Sequence, residues 1–142
     1  MELLIKNVRR VTSAGEELCS VGVDGGRISA ILPPDTSLTA DRVVDGTGKY
    51  LLPGLIDLHV HFRDPGFEYK EDIISGSKCA AAGGVTSVFC MPNTKPVCDN
   101  PETLAYILDK AKSASCRVFQ VAAITKGLES REVNDLPALK NS

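Results

Sequence analysis

From residue 50 onward the chain alternates strand-like and helix-like stretches, and that rhythm narrows the fold more than any other feature. Apolar runs of strand length occur within residues 50–66, at 85–91 and at 118–124. Between the first two lies a helical segment at 70–82, with Ile73, Ile74, Ser77, Ala80 and Ala81 along one side. Glu71 and Asp72 make an acidic first turn for it, and Gly83-Gly84 supply a stop. A second helix is expected from Asn100 as N-cap and Pro101 as first helical residue, with Leu104, Ile107, Leu108 and Ala111 as its buried stripe. A third is expected over 130–140, bent or broken at Pro137.

Strands and helices in this order imply parallel strands joined by right-handed crossovers, hence a doubly wound sheet or a (β/α)8 barrel. No GxGxxG or P-loop follows the first strand, so the barrel is preferred. Such a barrel takes about 250 residues, and about 90 follow residue 50, enough for about three of eight βα units. The expected fold class is therefore α/β: the opening units of a TIM-type barrel, incomplete in this chain. The isolated chain is expected to be inactive and poorly soluble, because parallel edges and an apolar face stay uncovered.

Residues 1–49 read differently, as short strands joined by turns. Runs at 3–8 and 18–23, an Asp24-Gly25-Gly26 turn into 27–31, and a strand at 42–45 make a small all-β, β-sandwich-like module. The expected domains are thus 1–49 and 50–142.

Sixteen Lys+Arg against eighteen Asp+Glu give a net charge of −2, which points to neither nucleic acid nor an anionic membrane as partner. The MELLIKNVRR start places bases after a short apolar core, the wrong order for a signal peptide, and no apolar run reaches membrane-spanning length. A soluble, cytoplasmic protein is expected. Five widely spaced cysteines without a CxxC pair read as buried reduced thiols.

The chemistry is concentrated in YLLPGLIDLHVHFRDPG, residues 50–66. If this run is one strand, Asp57, His59, His61 and Arg63 leave the same face, and Ile56, Leu58, Val60 and Phe62 the other. The two histidines are the only ones in the chain. At i and i+2 their imidazoles can reach one ion; the alternative is a pair of structural histidines, and a third ligand must come from elsewhere. Arg63 fits an anionic substrate group, or else a surface pair with Asp64 or Glu68. Asp57 either orients a histidine or caps a backbone turn. Asn93, in the MPNT loop after the second strand, offers substrate hydrogen bonds or simply forms a turn after Pro92.

GLIDLHVHFRDPG followed by YKEDIISGSKCAAAGGVTSVFCMPNTKPVCDN closely resembles the N-terminal third of dihydroorotases, members of the amidohydrolase superfamily. The resemblance implies that His59 and His61 are first-strand ligands of a zinc centre, two Zn(2+) per complete site. It implies that Arg63 and Asn93 hold the substrate carboxylate. The implied reaction is the reversible cyclisation of N-carbamoyl-L-aspartate to dihydroorotate in pyrimidine synthesis. The remaining ligands and the aspartate that shuttles the proton are expected beyond Ser142. Two other readings stand beside it: another cyclic amidohydrolase (an allantoinase or dihydropyrimidinase), and a non-catalytic scaffold subunit for a carbamoyltransferase. Partners are expected to be the small-molecule substrate and either a second copy or that carbamoyltransferase.

Overall fold

The computed structural model describes residues 1–140, which divide into two compact units, 1–53 and 54 onward. The first unit is a single five-stranded sheet: β1 (Leu3–Thr12), β2 (Gly15–Asp24), β3 (Arg27–Leu32), β4 (Arg42–Asp45) and β5 (Tyr50–Leu51). The strand order is β3-β2-β1-β4, with β5 also on β1. All five strands of the module expected here hydrogen-bond into the same sheet. Gly25 and Gly26 both take positive φ, 54° and 70°, which makes the β2–β3 connection a type I′ turn. β1 and β2 form a hairpin around Ser13-Ala14, which carries no Asn-Gly or Asp-Gly signal. Asn7, at φ 56°, sits where the β1–β2 register slips, and its amide donates to Ser20 Oγ at 3.2 Å. Val8, Cys19 and Val21 make this unit's small core.

The second unit carries the strand–helix alternation. β6 (Leu55–Val60), β7 (Val85–Cys90) and β8 (Arg117–Gln120) form a parallel sheet in that order. α1 (Ile73–Ala82) and α2 (Pro101–Ala111) connect them, followed by α3 (Leu136–Lys140), which begins just before Pro137. The core gathers Phe62, Ile73, Val88, Cys90, Leu104 and Ile107.

Several expected boundaries shift for local reasons. Tyr50 and Leu51 pair with β1, so the 50–66 run is two strands on two sheets rather than one. α1 starts three residues later than expected because Asp72 is its N-cap, not part of its first turn. The Asp72 carboxylate accepts the amides of Ile74 and Ser75 at 2.7 and 2.9 Å, and Ser75 answers in a capping box. α2 begins as expected at Asn100-Pro101, but its buried stripe is Thr103, Leu104 and Ile107, while Leu108 is exposed. Among the described residues no helix is long and apolar enough to cross a membrane.

Candidate functional site

The site grows from the C-terminal end of β6. β6 pairs Asp57 with Val88 but Val60 with Cys90, so one extra residue is accommodated at Leu58-His59 as a bulge. The strict alternation expected from Asp57 to Arg63 therefore breaks here. The amide of His59 turns to its own neighbour, donating to Asp57 Oδ1 at 3.0 Å. Asp57 thus caps backbone, which resolves the open choice at this residue: among the described contacts it orients no imidazole.

The imidazoles nevertheless come together. The ring centres of His59 and His61 lie 5.1 Å apart with an interplanar angle of 69°. An ion held tetrahedrally by two imidazole nitrogens at about 2.0–2.1 Å places the ring centres about 5 Å apart, and edge-to-face packing of two rings gives the same spacing. His61 Nδ1 lies 2.8 Å from Asn93 Oδ1. A carboxamide oxygen only accepts, so Nδ1 carries the proton and the Nε2 lone pair is left to ligate. A partner that fixes the tautomer of a metal-binding imidazole is the usual arrangement around such ligands. Sequence reasoning placed Asn93 against substrate; its oxygen faces His61, and its amide hydrogens remain as donors. Among the described residues no three His, Cys, Asp or Glu side chains converge on one point, so the pair supplies only part of a ligand set.

Burial alternates along the loop that follows. Phe62 and Asp64 are buried, whereas His61 and Arg63 are half-buried. Phe62 packs its ring against α1 at Gly76, where a Cβ would meet the ring at 2.5 Å. Arg63 has φ 62°, a left-handed conformation that costs a non-glycine residue about 1 kcal/mol and that clusters at functional sites. The Phe67 amide donates to the Arg63 carbonyl at 2.9 Å and helps hold it. Neither surface pair expected for Arg63 forms. Asp64 binds Lys110 instead, Glu68 accepts the Gly66 amide at 2.8 Å, and among the described residues Arg63 makes no ion pair.

A backbone tie joins this loop to the one bearing Asn93. The Lys95 amide donates to the Pro65 carbonyl at 2.9 Å. Gly66, at φ 94°, approaches Lys95 so closely that a Cβ would sit 2.0 Å from its carbonyl oxygen. Arg63 and Asn93 therefore hang from two loops that are fastened together.

Asp64, read from the sequence as a surface partner of Arg63, is instead buried against α2. It is 2% exposed, and its partners Lys110 and Tyr106 lie on α2, more than forty positions away, beyond the reach of any local pattern. All five cysteines are free, four of them at least partly buried, but Cys79 is exposed. Burial pushes the Cys90 thiol up to about 12 and, with the charge of Asp99, Cys98 up to about 11, so neither is a nucleophile near neutrality.

A family model described as dihydro-orotase-like matches residues 48–142. A dihydroorotase of Clostridioides difficile (strain 630) is 46% identical over 142 residues, covering 99% of this chain and 34% of that protein. A dihydroorotase of Trichlorobacter lovleyi is 47% identical over 145 residues, covering 100% of this chain and 34% of that protein. Among solved structures, an L-hydantoinase (dihydropyrimidinase) from Arthrobacter aurescens superposes with a TM-score of 0.80 at 26% identity, over 99% of this chain and 30% of that one. A dihydropyrimidinase from Brevibacillus agri gives 0.71 at 30% identity, over 92% and 30%. The chain spans about a third of the length of the curated relatives it matches.

Proposed function

Because this chain belongs to the dihydro-orotase-like family, we propose that it contributes the first metal ligands and the substrate-carboxylate clamp of a zinc-dependent dihydroorotase. One observation supports the reading: two imidazoles come within 5.1 Å, a spacing compatible with one shared cation, and Asn93 Oδ1 sits on Nδ1 of one of them, which leaves its Nε2 to ligate. On this reading the three strands are opening strands of a (β/α)8 barrel, with His59, His61, Arg63 and Asn93 at one rim. Zinc held there supplies Lewis acidity toward the ring amide and a nucleophile at neutral pH.

The chain's own residues do the rest. His59 and His61 each donate a ring nitrogen. Asn93 Oδ1 accepts a hydrogen bond from His61 Nδ1–H, which leaves Nε2 as the ring nitrogen that would ligate. The Arg63 guanidinium grips the substrate carboxylate through paired N–H donors, and the Asn93 amide hydrogens add a further contact. Anchoring the anionic end in this way sets the ring amide in one orientation, and such positioning lowers the barrier by itself. Free thiols throughout are consistent with a reducing cytoplasm.

A second reading is supported by the superposition on hydantoinases: hydrolysis of a neutral ring by the same strand end. Arg63 separates the two, since a neutral ring has no carboxylate for it. The test is a chimera in which residues 1–142 replace the matching third of the Clostridioides difficile dihydroorotase. Dihydroorotate opening should survive, and His59→Ala or His61→Ala should lower kcat/KM by at least about a thousandfold. Arg63→Ala should raise KM for dihydroorotate by about tenfold or more. Undiminished turnover in the histidine variants contradicts the reading, and an unchanged KM in Arg63→Ala favours the neutral-ring alternative.

A further inference from the structure

Asp64 follows Arg63 directly, yet its carboxylate turns away into the protein. One oxygen lies 2.5 Å from Lys110 Nζ and accepts the Ile73 amide at 3.4 Å; the other accepts the Tyr106 hydroxyl at 3.1 Å. The Asp64 side chain is wholly buried, and that of Lys110 is 32% exposed. The bond to Asp64 holds the Lys110 ammonium above the ordinary lysine value, and that ammonium also lies 5.9 Å from the Tyr106 ring centre. Both carboxylate oxygens are therefore committed to α2 and to the start of α1. A neighbouring carboxylate is otherwise a competitor for any guanidinium, through the same charge-assisted bonds a substrate carboxylate would make. Arg63, one residue away and held in a left-handed conformation, makes no ion pair among the described residues.

We infer that Lys110, assisted by Tyr106, is a positioning residue that sequesters Asp64 and so keeps the Arg63 guanidinium available for the substrate carboxylate. The inference rests on the dihydroorotase reading and adds to it a residue that touches neither substrate nor metal. It also accounts for an expensive feature: a buried carboxylate is tolerated only when paired and hydrogen-bonded, and here the pairing leaves the adjacent arginine unneutralised.

The experiment measures, in the chimera that carries residues 1–142, the Kd of N-carbamoyl-L-aspartate by calorimetry together with KM, kcat and zinc content. Lys110→Met frees Asp64 to compete, so Kd and KM should rise about tenfold with kcat and zinc content unchanged. Lys110→Arg keeps the ion pair and should restore both constants. Asp64→Asn combined with Lys110→Met removes the competitor and should recover most of the lost affinity. If the single Lys110→Met chain does not fold, Tyr106→Phe gives a smaller rise in the same direction. A loss of kcat or zinc at constant Kd, or a double variant no better than Lys110→Met alone, overturns the inference. Arg63→Ala separates the two claims: if it weakens binding while Lys110→Met does not, only the inference fails. If it leaves binding unchanged, or the unaltered chimera does not bind the ligand, the dihydroorotase reading fails.

Discussion

On the proposed reading Asn93 serves two ends with one side chain, and the division follows from its chemistry. A carboxamide has an acceptor end and a donor end; the acceptor end faces His61 Nδ1 at 2.8 Å, which leaves the donors outward. Asn93→Asp keeps the acceptor but deletes the donors and adds a charge that repels a carboxylate. It should raise KM for dihydroorotate by about tenfold or more while zinc binding holds, as steady-state kinetics and metal analysis of the chimera will read. Asn93→Leu removes the acceptor as well and should weaken zinc retention about ten- to a hundredfold. Gly66 is constrained in a different way, by its φ of 94° and by the Lys95 carbonyl at its α-carbon. Gly66→Ala should cost about 1–3 kcal/mol in denaturant unfolding, because both the conformation and the contact must give. A Gly66→Ala chain of unaltered stability contradicts the close approach of the two loops.

The elements show which parts of such a chain can be read locally. β4 at 42–45, the Asp24-Gly25-Gly26 turn and the Asn100-Pro101 helix start all follow from residues adjacent in sequence, and each appears where turn and cap chemistry put it. The Ser13-Ala14 hairpin was missed because the β1–β2 pairing defines it, not the turn residues. The bulge at Leu58-His59 was missed for a similar reason: it arises from matching β6 to β7. The two imidazoles stay close because i and i+2 remain near each other across a local bulge, and burial alternates again from His61 to Asp64. α1 offers a direct test of capping. Bonds from the Ser75 amide, then the Ile74 amide, hold the Asp72 carboxyl below its ordinary value. A lowered value means stability is present above the ordinary aspartate range near 4 and is lost as pH falls through the native value. Asp72→Ala should therefore cost about 1 kcal/mol near neutrality, and the difference should shrink below about pH 4 in urea titrations. A difference independent of pH contradicts the capping role.

At the scale of the whole molecule, apolar surface is the dominant fact about the second unit. Leu55, Ile56 and Leu58 on β6 are 58%, 62% and 68% exposed, though a strand in an α/β sheet is ordinarily covered on both faces. Among the described residues β6 has one strand neighbour, β7, and its sheet has three strands. The 142-residue chain on its own is expected to bind a hydrophobic dye and to self-associate, and in the chimera that surface should be protected. A monodisperse chain inert to the dye contradicts this. The family was legible in the sequence because it rests on short contiguous motifs. The Asp64–Lys110 pair was not, since ion pairing between a loop and a distant helix leaves no periodic trace. The account depends above all on His59 and His61 sharing one cation. The most direct test is zinc content of the purified chimera by atomic absorption, with His59→Ala and His61→Ala each compared with the unaltered chain. Each variant should lose bound zinc while its thermal midpoint stays within a few degrees of the parent's. Full zinc occupancy in both variants would contradict the shared site.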